Sequence, residues 1–492
     1  MTHKSSNLFQ HMYEPTFSSV KQHPLPAWYH DAKFGIFIHW GLYSVPAFAP
    51  RKPMDLKALL SGDFGSSPYA EWYQNSLRIP GSAVQRYHAE KYGANFPYED
   101  FATAFNEQSR HWDPEAWADL FQSSGARYVV LVTKHHDGFL MWPSQQRNPQ
   151  RLAYHAARDI VGELQHSVTA RGLKMGYYYS SALDWTFTLQ PIQSMADLMI
   201  SGPADRAYRD YVERHWKELI DRYEAWLLWS DIAYPPGYSL AELFAHFYNR
   251  RAEGVINDRW FQTPIGLRNP LGKFLINLAA QWMARQGKTN TPKVPHCDYV
   301  TTEYFGQAQA TTFKWEACRG IGNSFGYNQF ETADDYQTAP ELIRLLADIV
   351  SKNGNLLLNV GPRADGTLPE AQLAALKGMG QWLAVNGAAI YGTRPWTRFK
   401  DNGERGTEVR YTRQDGTLYA LVMTLPTDRT LALPDLPIKL DSQVQLLGHD
   451  QPIEWANTGG RFVAHLPPQL STNDIPVLKL ELSVSTGDSR ER

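Results

Sequence analysis

The stretch Lys33-Phe34-Gly35-Ile36-Phe37-Ile38-His39-Trp40-Gly41 decides the fold. It is a short apolar run that favours a strand, and it ends in polar and aromatic side chains. The same pattern recurs along the chain, at residues 127–133, 173–179, 225–229, 254–257 and 355–360. Near-continuous apolar strands that alternate with amphipathic helices predict a parallel sheet covered by helices.

Capping residues mark two of the helix starts between these runs. Asp113-Pro114 is an N-cap followed by proline at the first helical position. Thr338 and Glu341 form a capping-box pattern ahead of an apolar stripe. No glycine-rich nucleotide turn follows the first strand, which favours a barrel over an open sheet. We therefore predict an α/β fold with a (β/α) TIM-like barrel over residues 28–393.

The pattern changes beyond about residue 392, where helical spacing disappears. Residues 408–412 alternate between apolar and polar side chains, and Asp415-Gly416 signals a hairpin. Residues 443–447, 462–466 and 477–482 keep the period of two. We predict a small antiparallel β-sandwich domain at residues 394–492, with residues 1–27 as an N-terminal tail ahead of the barrel.

The composition narrows the classes of partner. Of 492 residues, 43% are hydrophobic and 20% charged, and the formal net charge is −2. A chain without a basic excess is not expected to bind nucleic acid or an anionic membrane surface. Residues 1–26 carry no apolar core of a signal peptide, and no stretch is apolar enough to span a bilayer. The expectation is a cytoplasmic protein, and a homo-oligomer is compatible with the sequence.

Cysteine and aromatic usage add two weaker indications. Cys297 and Cys318 match no zinc-binding spacing, although one disulfide could join them, and we expect neither a metal nor another cofactor. Aromatic residues make up 13% of the chain. Their amphipathic rings suit the C–H faces of sugars, but an aromatic-rich core would give the same percentage.

The predicted strand ends carry the residues with chemistry. In a β/α barrel, functional side chains gather at the carboxyl ends of the strands. Here these ends supply His39, His135, His136, Tyr178, Trp229, Asp231 and Arg259. Imidazoles, carboxylates and aromatic rings on one face fit a hydroxyl-rich ligand, and positive charges are too few for a phosphate.

A metal-dependent barrel hydrolase is one alternative, because His39, His135 and His136 could be ligands. Such sites need several imidazoles and carboxylates within reach of the metal, with histidines from later strands as well. The fifth strand end offers Arg259 instead, and a guanidinium beside a cation is electrostatically unfavourable. The pattern therefore favours a site without a metal.

Asp231 follows an apolar strand and precedes a turn rich in proline, so it is not the N-cap of a helix. Glycoside hydrolysis needs two carboxyl groups, about 5 Å apart when the anomeric configuration is retained. The candidates for the second carboxyl group are Glu71, Glu303, Glu316 and Glu331. Their spacing along the chain leaves the choice open.

Taken together, the motifs resemble the α-L-fucosidases of glycoside hydrolase family 29. The resemblance covers residues from about 27 to 395, with the motifs in the family's order. It rests on Trp28-Tyr29, residues 33–41, Glu71-Trp72-Tyr73, residues 134–139, residues 176–180, Trp229-Ser230-Asp231, Lys314-Trp315-Glu316, residues 324–328 and residues 355–362.

This resemblance implies a retaining, exo-acting α-L-fucosidase with Asp231 as nucleophile and Glu303 as general acid/base, and Glu316 as the alternative acid/base. It also implies a set of residues that hold the fucose ring: His39, Glu71, Trp72, His135, His136, Tyr178, Trp229 and Arg259, with Phe325 beside the sugar. The implied partner is a fucosylated oligosaccharide or glycoconjugate.

Several matters stay open at this point. A carbohydrate-binding protein on a hydrolase scaffold would carry the same motifs, and transfer of fucose shares its intermediate with hydrolysis. Residues 260–296 are longer than in compact family members, and we expect this insertion to lie near the acceptor side of the site. Neither the fucosyl linkage nor the role of the C-terminal domain follows from the sequence.

Overall fold

A computed structural model describes residues 12–52, 64–285, 294–304, 306–471 and 473–483. Of the N-terminal tail expected at residues 1–27, residues 1–11 lie outside this description, as do residues 484–492 of the predicted C-terminal domain. Phe17–Val20 and Ala27–Ala32 form short helices that lead into the first strand.

Eight parallel strands form the central sheet, in the spatial order β5-β4-β3-β2-β1-β8-β7-β6. This is the order of a TIM-like barrel opened between β5 and β6, and it confirms the predicted fold class. The strands are β1 Phe34–Ile38, β2 Tyr128–Lys134, β3 Lys174–Ser180, β4 Leu227–Asp231, β5 Val255–Ile256, β6 Val300–Glu303, β7 Trp315–Gly320 and β8 Gly354–Val360.

The two edges of this sheet, β5 and β6, meet at a seam where the described residues show no ladder pairing. Asp298 bridges the seam, because its N–H donates to the carbonyl of Ile256 at 2.9 Å and its Oδ2 accepts from the N–H of Ile256 at 2.7 Å. The N–H of Thr301 donates to Asp258 Oδ1 at 3.0 Å. One backbone hydrogen bond and the carboxylates of Asp298 and Asp258 thus join the edges in place of a continuous β-ladder.

Helices cover the outside of the barrel. The longer helices are Ala83–Tyr92, Phe101–Gln108, Pro114–Ser123, Ile160–Ala170, Arg206–Arg222, Leu240–Arg250, Pro270–Arg285, Ala339–Ser351 and Glu370–Asn386, and the shorter ones include Tyr73–Leu77 and Met195–Ile200. Both expected caps are confirmed: Asp113 accepts the N–H groups of the first turn, and Thr338 and Glu341 form a capping box. Within the described ranges, no helix has the length and apolarity needed to cross a membrane.

Successive residues of each strand point alternately to two apolar layers, one between the sheet and the helices and one inside the barrel. Ile36, Val129 and Leu358 pack between the sheet and the helices, whereas Phe37 and Tyr128 fill the barrel interior. Gly35 lets the Tyr128 ring cross β1, since a Cβ at this glycine would lie 2.4 Å from Tyr128 Cζ. At the carboxyl ends of the strands, this interior layer adjoins the aromatic side chains that lie there.

The C-terminal part consists of two antiparallel sheets that enclose a separate core. The larger sheet has the order β14-β13-β17-β11-β10-β9, and the smaller has the order β12-β16-β15. The strands are β9 Arg394–Asn402, β10 Glu408–Gln414, β11 Thr417–Val422, β12 Thr430–Pro434, β13 Val444–Leu446, β14 Pro452–Ile453, β15 Trp455–Asn457, β16 Arg461–His465 and β17 Val477–Glu481.

This β-domain covers one side of the barrel, at the helices Ala339–Ser351 and Glu370–Asn386. Arg410 Nε pairs with Asp348 Oδ1 at 2.7 Å, and the indole N–H of Trp382 donates to the carbonyl of Ile475 at 2.9 Å. The contact lies on the flank of the barrel, away from the carboxyl ends of the strands.

Candidate active site

Contacts link every site residue predicted from the sequence into one network at the carboxyl ends of the strands. His39 follows β1, His135 and His136 follow β2, Tyr178 lies in β3, and Asp231 ends β4. Arg259 follows β5, Glu303 ends β6, Phe325 follows β7, and Glu71 and Trp72 lie in the short helix Ala70–Trp72. Parallel strands bring their carboxyl ends to the same face, which is why these distant residues meet.

Asp231 has its two carboxylate oxygens held by different donors. The hydroxyl of Tyr178 donates to Oδ2 at 2.8 Å, and Arg259 Nη1 donates to Oδ1 at 3.0 Å. The chain then turns away sharply, because Ile232 and Ala233 both have positive φ, at 50° and 78°. A β-branched residue rarely adopts this conformation, so the backbone is strained next to Asp231.

Arg259 connects Asp231 to Glu303. The same Nη1 atom that binds Asp231 lies 2.5 Å from Glu303 Oε1, and Arg259 Nε donates to Thr301 Oγ1 at 2.8 Å. Two oxygens bound to one nitrogen at these distances lie at most about 5.5 Å apart. This upper limit places the pair within the short separation of retaining glycosidases, about 5–5.5 Å, and below the roughly 6.5–9.5 Å of inverting ones. The guanidinium also lies 4.8 Å from the ring centroid of Trp229, which it overlies.

Glu316 lies beneath this pair, inside the barrel, and its carboxylate is occupied. The hydroxyls of Tyr29 and Tyr128 donate to Oε2 at 2.8 and 2.6 Å, and the indole N–H of Trp229 donates to Oε1 at 3.1 Å. Burial raises the pKa of Glu316 to about 6, and these donors oppose the rise. The residue is fully buried, whereas the Glu303 side chain is 34% exposed.

Hydrogen bonds to neighbours fix the ring orientation of two histidines. Asn359 Nδ2 donates to the carbonyl of Phe325 at 2.7 Å, so its Oδ1 accepts the Nδ1–H of His39 at 2.6 Å. Ser180 donates to the carbonyl of Leu183 at 2.8 Å, so its oxygen accepts the Nδ1–H of His136 at 2.7 Å. The Nε2 atom of each neutral ring is therefore an acceptor.

Burial keeps the histidines of the site uncharged. It lowers the pKa of His39 to about 3, and it lowers the pKa values of His135 and His136 well below the ordinary value for histidine. His136 Nε2 lies 3.9 Å from Asp231 Oδ2. Neutral imidazoles beside a carboxylate supply hydrogen bonds to a ligand without adding charge.

Glu71 is a carboxyl group of a different kind. Burial raises its pKa from 4.5 to about 8, against the lowering effect of the Gly326 N–H, which donates to Oε2 at 2.8 Å. A carboxyl with this pKa carries its proton at neutral pH and can donate a hydrogen bond. The loop that holds it is fixed by Glu331, which accepts the N–H groups of Asn323 and Ser324.

Aromatic rings form the walls between these polar groups. Phe325 contacts His39, with ring centroids 5.0 Å apart, and Trp72 meets His136 edge-on at 5.2 Å. Several buried polar atoms of the described site residues have no protein partner: Tyr43 hydroxyl, Tyr69 hydroxyl, His135 Nδ1 and His136 Nε2. A small apolar-walled site with unpartnered donors and acceptors fits a hydroxyl-rich ring.

In the described part of the chain, no group of three or more His, Cys, Asp and Glu side chains is arranged to hold a metal ion. The Nδ1 atoms of His39 and His136 are committed to Asn359 and Ser180. Cys297 and Cys318 are both free, so the disulfide that the sequence allowed is not formed.

Two family models match the chain, one described as alpha-L-fucosidase over residues 1–388 and one as alpha-L-fucosidase C-terminal domain over residues 401–481. The chain belongs to the α-L-fucosidases of glycoside hydrolase family 29. It is therefore a glycoside hydrolase, and the resemblance found in its motifs is confirmed.

Individual fucosidases match over most of their length. An α-L-fucosidase of Dictyostelium discoideum is 35% identical over 449 residues, which cover 89% of this chain and 86% of the relative. Human plasma α-L-fucosidase is 32% identical over 477 residues, 94% of this chain and 90% of the relative. The crystal structure of Thermotoga maritima α-fucosidase is 38% identical and superposes with a TM-score of 0.81, covering 95% of this chain and all of the other.

The structure adds residues that the sequence analysis did not single out in this fucosidase. Asn359 orients His39, and Tyr69 and Tyr304 pack edge-on against Phe325. Asn359 lies at the end of an apolar run that the sequence analysis recognised as a strand, so reading the last strand end like the others would have found it. No comparable pattern marks Tyr69, which precedes a short helix outside the strands.

Proposed function

We propose that this chain is a retaining, exo-acting α-L-fucosidase that releases L-fucose from fucosylated oligosaccharides or glycoconjugates by double displacement. The observation that carries the proposal is the shared Arg259 Nη1 atom, which brings Asp231 and Glu303 closer together than the carboxyl groups of an inverting glycosidase, as a covalent intermediate requires. Both carboxyl groups lie on the face where barrel enzymes bind substrate.

In the first step, a carboxylate oxygen of Asp231 attacks the anomeric carbon and forms the fucosyl–enzyme ester. The bond from this carbon to the leaving oxygen breaks, and Glu303 gives its proton to that oxygen. Tyr178 and Arg259 hold Asp231 through one oxygen each, which fixes the direction in which the carboxylate points.

In the second step, Glu303 removes a proton from water, and the water oxygen attacks the anomeric carbon and displaces Asp231. Two inversions give retention of configuration. Exposure supports Glu303 over Glu316 in this role, because an acid/base must reach both the leaving oxygen and water. Glu316 already accepts three hydrogen bonds and is fully buried.

The surrounding residues suit a fucose ring. Neutral His39 and His136 offer Nε2 as acceptors for ring hydroxyls, and the protonated carboxyl of Glu71 offers a donor. His135 and Arg259 add further polar contacts, while Trp72, Trp229 and Phe325 provide apolar surface for the C–H faces and the C5 methyl.

The stereochemical outcome tests the mechanism directly. Proton NMR of a reaction on an aryl α-L-fucoside should show the α-anomer of fucose first, before it equilibrates with the β-anomer. Initial release of the β-anomer would exclude double displacement. Asp231→Asn should fold normally and lose nearly all turnover, with Asp365→Asn, on an exposed turn, as the matched control. Full turnover in a folded Asp231→Asn protein would exclude it as the nucleophile.

A further inference from the structure

The segment that joins Arg259 to Glu303 carries an unusual concentration of exposed apolar side chains. In the described part of the chain, fourteen large apolar side chains are exposed, and seven of them lie within residues 265–282. We call these seven the apolar stripe: Ile265, Leu267, Leu271, Phe274, Leu275, Leu278 and Trp282. Their exposed fractions run from 38% to 66%.

The helix Pro270–Arg285 is anchored through its polar side chains. Asn277 Oδ1 accepts the N–H of Ala196 at 2.9 Å, and Lys273 Nζ pairs with Asp197 Oδ1 at 2.6 Å. Both partners belong to the helix Met195–Ile200, which packs against the aromatic layer of the active site through Met195 and Leu198. Asn277, Lys273 and the buried Ala280 thus face the protein, and the apolar stripe lies on the exposed side of the helix.

The spacing of the stripe is that of a helix–helix contact. Leu271, then Phe274 and Leu275, then Leu278 and Trp282 lie three or four residues apart from one step to the next, so they share one face of the helix. Exposed fractions of this size on seven large side chains leave about 700 Å² of apolar surface, more than the largest patch of a typical monomer, about 300–600 Å². The area is close to the roughly 800 Å² that each partner buries in a stable protein interface.

We propose that the apolar stripe is the surface through which this chain associates with a second copy of itself. A uniformly apolar stripe is complementary to itself, so a two-fold axis can pair it with the same stripe of another copy. The area of the stripe equals what one partner of such a pair contributes. The pairing would fix the segment between Arg259 and Glu303 from outside, where the sheet has no ladder hydrogen bonds.

Charge argues against a lipid surface as the occupant. Helices that lie on anionic membranes carry lysine and arginine beside their apolar face. Within residues 265–282 the basic residues are Arg268 and Lys273, and both are engaged with the protein. Arg268 donates to the carbonyl of Gly202 at 2.5 Å, and Lys273 pairs with Asp197.

Light scattering and sedimentation velocity over a range of concentrations test the proposal. The wild-type chain should show at least twice the mass of the 56.0 kDa chain. Leu278→Glu and, separately, Leu271→Glu should halve that mass or raise the dissociation constant more than about tenfold, because a charge is buried unpaired in the paired state. Leu152→Glu is the matched control, since Leu152 is 93% exposed outside the stripe, and it should leave the mass unchanged.

Thermal unfolding of each variant shows whether it is folded, and Trp282→Ser serves as a second, uncharged disruption. A wild-type chain that is monomeric at every concentration would overturn the proposal, as would an assembly whose mass survives all three stripe variants. A monomer that instead sediments with vesicles of phosphatidylcholine and phosphatidylglycerol would assign the stripe to a lipid surface and equally overturn it. These readouts do not depend on which carboxyl groups perform catalysis.

Discussion

Replacing Glu316 with leucine removes an acceptor from three buried donors at once. The hydroxyls of Tyr29 and Tyr128 and the indole N–H of Trp229 would lose their partner in the barrel interior. Each buried donor left unpaired costs about 1–3 kcal/mol, so the three together should destabilise Glu316→Leu by about 3–9 kcal/mol. With an unfolding entropy of about 2.1 cal/mol/K per residue, 1 kcal/mol corresponds to about 1 °C in a chain of 492 residues, so the melting temperature should fall by roughly 3–9 °C.

Glu316→Gln should have a milder effect. A glutamine can present its oxygen to Trp229 and its amide nitrogen to the hydroxyls of Tyr29 and Tyr128, which can accept as well as donate. We expect a loss of about 1–2 kcal/mol. The comparison of leucine with glutamine therefore separates the hydrogen bonds from the charge.

Glu303→Gln should show the opposite behaviour. Its side chain is 34% exposed, so the melting temperature should stay within about 3 °C of wild type while turnover of glycosides with poor leaving groups collapses. Azide should restore turnover of an activated aryl fucoside, because azide is already an anionic nucleophile and, unlike water, needs no general base. Differential scanning calorimetry and steady-state kinetics on two leaving groups give the required readouts. A stable Glu316→Leu protein, or a Glu316→Gln protein that azide rescues, would refute this assignment of the two residues.

Three other substitutions test separate parts of the structure. The stability contributed by Glu71 is complete below pH 4.5 and is lost as the pH rises towards its pKa of about 8. The unfolding free energy of the wild-type protein, measured with denaturant, should therefore decline by a few kcal/mol between pH 5 and pH 8, and Glu71→Gln should flatten this decline. An unchanged pH dependence in the variant would contradict this. Asn359→Leu should lower kcat/KM about 10–100-fold by releasing His39, and Asn359→Asp should recover part of it; equal losses would show that the acceptor at this position is unimportant. Gly35→Ala should lower the melting temperature by several degrees, since the new Cβ meets the Tyr128 ring at 2.4 Å, and a wild-type melting curve would show that the ring can move aside.

Six strands, β1 to β5 and β8, were predicted from their apolar runs in the sequence. The strands β6 and β7 were not predicted. Val300–Glu303 and Trp315–Gly320 contain threonines, glutamates and an arginine, so they lack the apolar character of a buried strand. Glu316 occupies an interior position of β7 because Tyr29, Tyr128 and Trp229 satisfy its carboxylate. Such compensation comes from residues far away in the chain, and periodicity cannot reveal it.

Like the strands, the residues of the site were predicted in part. The rule that functional residues gather at strand ends correctly brought His39, His136, Asp231 and Arg259 together. The residues themselves left the carboxyl groups unranked, and only the family resemblance put Glu303 ahead of Glu316, because burial and hydrogen-bond donors are not visible in a sequence. Nothing in the sequence distinguishes these glutamates, although Glu71 has a raised pKa, Glu316 accepts from three donors and Glu303 is partly exposed.

The seam between β5 and β6 has a consequence for how this barrel can change. Elsewhere in the sheet, lengthening a connection risks the hydrogen bonds of a continuous ladder, whereas among the described residues the seam is crossed only by local contacts such as those of Asp298 and Asp258. The segment that carries the helix Pro270–Arg285 lies at this position, between Arg259 and Glu303 in the chain. Asp231 lies in the continuous part of the sheet and can thus stay in place while the chain around Glu303 varies in length. The seam is a position where evolution can lengthen or shorten the chain beside the site without rebuilding the rest of the barrel.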